Sequence, residues 1–181
     1  MKITDVEVIS FRLPINSRGT KWGYGEASAQ HDGVQSITRI STDSGQVGYS
    51  SGGVHSYFYG ANAAEVESVI KPLLVGQDPW DRELLWHWMA QHRGISEGLL
   101  GNIDSALWDL AGRVAGVSVA QLLGRARTKV KAYASTAPNL GSPDVYADLA
   151  RSARNRGYQA FKVHAYIFAD KLFNWLVTTL Y

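Results

Sequence analysis

The opening stretch KITDVEVISFRLP places Ile3, Val6, Val8 and Phe11 among polar neighbours, with strand-forming residues dominant, and Pro14 is read as its end. Residues 15–33 have no hydrophobic period and are rich in glycine, serine and polar groups, which predicts a long loop carrying Trp22, Tyr24 and His31. Alternation returns in VQSITRISTDSGQVGYSSGG, where two strand-like runs flank Asp43-Ser44-Gly45, the pattern of a β-hairpin. Three antiparallel strands are expected. A second glycine- and aromatic-rich loop follows and carries His55 and Tyr57.

From Ala61 the period lengthens. Val66, Val69, Ile70, Leu73 and Leu74 recur at helical spacing, and Gly76-Gln77-Asp78-Pro79 punctuates the way into a second helix, WDRELLWHWMAQH. The strongest helical pattern is GLLGNIDSALWDLAGRVAG, in which Ile103, Leu107, Leu110, Ala111 and Val114 form one apolar stripe expected to face a core. Trp86, Trp88 and Trp108 are read as packing between these helices. Gly116 stops the long helix and Gly124 stops a short one after it. The grammar then becomes strand (KVKAYAST), helix (SPDVYADLARSARNRG, with Ser142 as cap and Pro143 at its first position) and strand (YQAFKVHAY), a β-α-β unit.

These elements predict an α+β domain, a three-stranded antiparallel sheet on a helical bundle, over about residues 1–127, and the start of a parallel β/α domain over 128–168. An apolar, aromatic tail occupies 169–181. A complete β/α barrel takes about 250 residues, so only its first two strands are expected.

Composition removes several function classes. The 18 basic and 16 acidic residues give a net charge of +2 without a long basic run, so neither nucleic acid nor an anionic membrane is an expected partner. The absence of cysteine removes disulfides, thiolate metal sites and thiol catalysis. The N-terminus alternates and carries charges within its first seven residues, unlike a signal peptide, and no run is long enough to span a membrane; a cytoplasmic protein is expected.

Candidate chemistry concentrates near the C-terminus. In a strand, residues i and i+2 share a face, so Lys162 and His164 would project side by side into one space. The plain alternative is an edge strand with two solvated polar residues. The histidines and aromatics of the two loops are candidates for substrate contact, whereas His87 and His92, five apart on a helix, do not share a face. GYGEAS follows no strand and opens no helix, so it does not read as a phosphate loop.

Taken in order, ITRISTDSGQVGYSSGG, LLVGQDPWDRELLWHWM, NIDSALWDLAGRVAGVSVAQLLG and VKAYAS resemble successive segments of the enolase superfamily, in its mandelate racemase and muconate lactonizing branch. The resemblance runs from Lys2 to about Tyr166 and implies an N-terminal capping domain closing the mouth of a (β/α)8 TIM-type barrel. It also implies removal of the proton α to a carboxylate by a side-chain base, with Mg²⁺ stabilising the resulting enediolate. Lys162-Val163-His164 stands where that family's second barrel strand commonly ends Lys-x-Lys. By this resemblance Lys162 contacts the substrate carboxylate and His164 is the base, while Trp22, Tyr24, His31, His55 and Tyr57 lie on loops that read the substrate. Imidazole beside an ammonium group suits proton acceptance near neutral pH. Histidine in place of the second lysine departs from the racemase pattern and favours dehydration of a sugar acid over racemisation.

The family's acidic metal ligands lie on the third, fourth and fifth barrel strands, which the sequence does not reach, so no metal ligand is assigned and this chain alone is expected to be inactive and without cofactor. Asp104 and Asp109 fall on the capping helix, where a surface ion pair or a helix-terminal role is the expected use. Unpaired strand edges and the apolar tail predict self-association or a homo-oligomer. The competing reading is a non-catalytic structural or interaction module that retains the capping fold.

Overall fold

The computed structural model describes residues 1–18, 27–52, 63–136 and 142–163. The chain forms two compact units, one of Met1–Leu13 with Asp32–Ala126 and one of Pro14–His31 with Arg127–Tyr181.

Three strands, β1 (Ile3–Arg18), β2 (Ala27–Thr42) and β3 (Val47–Gly52), form an antiparallel sheet in the order β1-β2-β3. Alternation sets which face of β2 is inward: Thr38, Ile40 and Thr42 are buried and the residues between them are partly exposed. The β2–β3 hairpin forms as its sequence predicts, with Ile40 opposite Gly48, Ser41 opposite Val47, and Gly45 at φ 78° in the turn. Strand β1, however, does not end at Pro14. It is an edge strand, the kind of strand in which proline is found. Near its start, Ile3 donates its N–H to Gln77 O at 2.9 Å and accepts from Gly76 N at 2.8 Å. These bonds satisfy backbone groups at the start of the edge strand.

The helical layer begins with α1 (Ala63–Glu65), a π-helical stretch Val66–Ile70, and α2 (Lys71–Leu74). The widening has a local cause: Lys71 donates five residues back to Val66 O, and Pro72 then has no N–H to continue the ladder. Val66, Ile70 and Leu74 are all buried along this stretch. Helix α3 (Arg82–Gln91) buries Leu85 and Met89 but leaves Trp86 and Trp88 each 38% exposed, so those two rings do not pack between helices as their aromatic character suggests. Two residues apart on a helix, they cannot both join the stripe that Leu85 and Met89 already occupy.

Helix α4 (Glu97–Ala115) is the backbone of the core. Ser96 caps it by accepting from Leu99 N–H at 3.2 Å. Its other end is a Schellman motif: Gly116, at φ 67°, donates to Arg113 O and Val117 donates to Gly112 O. Ile103, Leu107, Leu110 and Ala111 are buried as the stripe predicts, but Val114 is exposed, because the buried positions of α4 end at Gly112. The sheet lies against this helix most closely at Gly48, where an added Cβ would stand 2.3 Å from Ala106 O and 2.6 Å from Leu110 Cβ. Thr38 and Asn102, both buried, hydrogen-bond across the interface. A short α5 (Val119–Leu122) follows, started by a capping box between Ser118 and Gln121.

In the second unit, β4 (Ala134–Ser135) pairs in parallel with β5 (Phe161–Lys162), and α6 (Pro143–Asn155) lies between them in sequence. Ser142 holds the N-cap position with Pro143 behind it, but its side chain makes no capping bond. No described helix is long and apolar enough to cross a membrane.

Candidate active site at the end of strand β5

Lys162 is the last residue of β5, and the site is built around it. The register sets Ser135 beside Lys162 and Ala134 beside Phe161, so Ser135 and Lys162 share one face of the pair. Residues two apart on a strand share a face, so Tyr133 belongs with them, and the Lys162 ammonium lies 6.0 Å from the centre of its ring. Thr136 fixes the backbone from the neighbouring strand: its N–H and its hydroxyl both donate to Lys162 O, at 3.0 and 3.2 Å. An exposed lysine is thereby carried on a hydrogen-bonded strand end, free to meet a carboxylate. Tyr133 and Ser135 were not singled out in the sequence, although the i, i+2 spacing in VKAYAS was the signal for them.

The other candidates divide by position. His164, Trp22, Tyr24, His55 and Tyr57 lie outside the described residues. His31 lies within β2 and not on a loop, because that strand begins at Ala27, well before the polar stretch ends. No three His, Cys, Asp or Glu side chains come together among the described residues, so these do not fit a Mg²⁺ site.

The two acidic residues of α4 have other roles. Asp109 accepts from Tyr49 N–H at 2.9 Å and from Arg113 Nε at 2.7 Å, while the Arg113 guanidinium lies 5.3 Å from the Tyr49 ring centre, so this carboxylate ties helix to sheet. Asp104 is half-buried, and that burial raises its pKa above the usual carboxylate value; Glu83 adds to the rise and Arg82 opposes it. The Arg82 guanidinium stacks 3.9 Å from the centre of the Trp108 ring. His87 meets Trp86 edge to face, and His92 accepts from Gly94 N–H through Nδ1, so both have local structural contacts.

Residues 25–124 match the family described as mandelate racemase / muconate lactonizing enzyme, N-terminal domain. Arabinonate dehydratase of Saccharolobus solfataricus is 35% identical over 114 residues, covering 58% of this chain and 30% of that protein. A D-galactonate dehydratase family member, RspA, of Halomonas elongata is 34% identical over 113 residues, covering 58% and 27% respectively. Among solved structures, D-glucarate dehydratase from Agrobacterium tumefaciens complexed with magnesium superposes with a TM-score of 0.76 at 33% identity, covering 91% of this chain and 44% of that one. The chain therefore spans less than half the length of the proteins it matches here. With a capping sheet and helices that follow the family's N-terminal domain and a family match over more than half its length, the chain belongs to the mandelate racemase / muconate lactonizing enzyme family of the enolase superfamily.

Proposed function

We propose that residues 1–127 are the capping domain, and 128–168 the first two barrel strands, of a sugar-acid dehydratase, with β4 and β5 as those strands. The observation that supports the reaction is that the three relatives described above each bear the name of a sugar-acid dehydratase or of a member of such a family. In this reading His164 takes the proton from the carbon α to the substrate carboxylate, and the electron pair moves toward that carboxylate. The β-hydroxyl departs as water, taking up a proton equivalent to the one removed from the α-carbon, and the enol left behind tautomerises to a 2-keto-3-deoxy acid. Lys162, exposed at the C-terminal end of a parallel strand, offsets the growing negative charge by binding the carboxylate. Trp22, Tyr24, His31, His55 and Tyr57 read the rest of the substrate. Mg²⁺ belongs to this reading through the family alone.

The test is a chimera in which residues 2–166 replace the matched segment of the Agrobacterium D-glucarate dehydratase, assayed with arabinonate, galactonate and glucarate for the 2-keto product. Formation of product from at least one acid is the expected result. A folded chimera, verified by its melting transition, that gives neither product nor α-hydrogen exchange with any of the three would favour the non-catalytic module instead.

A further inference from the structure

Charge in this chain is unevenly spread. Between Asp109 and Asp144 there is no acidic residue, yet Arg113, Arg125, Arg127, Lys129 and Lys131 lie there; between Asp148 and Asp170 there is again none, yet Arg151, Arg154, Arg156 and Lys162 do. Within the second unit these two stretches meet at an open depression of about 310 Å³ lined by Lys131, Ala132 and the run Arg156, Gly157, Tyr158 and Gln159. The depression lies at the N-terminal ends of β4 and β5, whereas Lys162 closes the C-terminal end of β5.

Its geometry is set by the end of α6. Gly157, at φ 89°, donates to Arg154 O and Tyr158 donates to Ala153 O, a Schellman motif that fixes the turn. The Tyr158 ring in turn sits 5.2 Å from the Arg156 guanidinium. Because the amides of Gly157 and Tyr158 are used in the cap, a ligand here would be held by side chains. Neither Lys131 nor Arg156 forms an ion pair among the described residues, and no carboxylate lines the depression. Both side chains are exposed, and an anion bound between them would offset their like charges. A planar guanidinium fork beside a point-charge ammonium and the Gln159 amide suits a tetrahedral oxyanion.

We propose that this depression binds a small phosphate-like dianion, free or carried on a small metabolite, at the strand end opposite Lys162. This does not rest on the proposed reaction. A concave space of that volume favours a small ligand over a nucleic-acid strand, which would need a continuous groove or stacking surface.

The experiment is an amide NMR titration of the 181-residue protein with inorganic phosphate at constant ionic strength, chloride serving as the balancing salt. Saturable shifts concentrated at Lys131, Ala132 and 156–159 are expected. Arg156→Ala and Lys131→Ala should each weaken binding about tenfold or more, while Arg151→Ala, within α6 and outside the depression, should leave it unchanged. Both weakened positions are exposed, so an unchanged melting transition is expected and excludes misfolding as the cause. Shifts that chloride reproduces, or Arg156→Ala binding phosphate like the parent, would overturn the proposal. A single-stranded oligonucleotide that binds more tightly than phosphate and depends on the wider set of arginines would overturn it too, reassigning the patch to a polyanion.

Discussion

At the scale of single residues, Asp104 makes the clearest prediction. Its carboxyl is harder to ionise in the folded protein than in the unfolded chain, first because it is partly buried and then because Glu83 is near, and the guanidinium of Arg82 does not reverse this. The native state therefore holds the proton over a window in which the unfolded chain has released it. The benefit to folding is complete below the ordinary value near 3.8 and is lost as pH rises through the raised one. Asp104→Asn removes that loss. The variant should be more stable than the parent at neutral pH, by less than about 1 kcal/mol since the group is half in water, and indistinguishable from it in strong acid. Urea unfolding at both pH values measures this, and a variant weaker at neutral pH would contradict the assignment. Such a position is illegible in the sequence: Asp104 and Asp109 look alike there, and only the fold makes one a half-buried charge and the other a bridge to Tyr49.

At the scale of elements, the contact of α4 with β3 holds the cap together, and Gly48 decides how close the two can come. A methyl group there would meet Ala106 O and Leu110 Cβ, main chain and a helix-fixed carbon, neither of which can swing aside. Gly48→Ala should cost about 1–3 kcal/mol in the unfolding free energy, whereas Gly45→Ala meets no atom and pays only for its positive φ. Ser96→Ala, which deprives Leu99 N–H of its partner, should cost about 1 kcal/mol. An equal effect from Gly48→Ala and Ser96→Ala, both small, would show that the helix can lift from the sheet freely. The elements themselves were largely legible: the hairpin turn, the α4 stripe and the parallel strand-helix-strand unit all follow from period and punctuation. What pattern missed were ends and faces. Pro14 reads as a terminator but is harmless on an edge strand, Val114 continues the stripe past its last buried position, and Trp86 and Trp88 share a helix whose inward face Leu85 and Met89 have taken.

At the scale of the whole molecule, family membership rests on the N-terminal domain, whereas the proposed chemistry lies at the end of β5. Lys162 is a candidate by its strand face, and Ser135 and Tyr133 lie beside it through the parallel register, which a single sequence does not print. The assignment of roles to Lys162 and His164 is the central claim, and exchange of the substrate α-hydrogen with solvent tests it most directly. In the chimera carrying residues 2–166, loaded with Mg²⁺ and held in D₂O with the acid it turns over, the parent should incorporate deuterium at the α-carbon. His164→Asn keeps the shape but cannot accept a proton, and should lower that exchange by about 10²–10⁴-fold with metal affinity intact. Lys162→Met should instead weaken substrate binding, seen in KM. Near-normal exchange in the His164→Asn chimera would contradict the account and leave His164 a polar residue of the barrel wall.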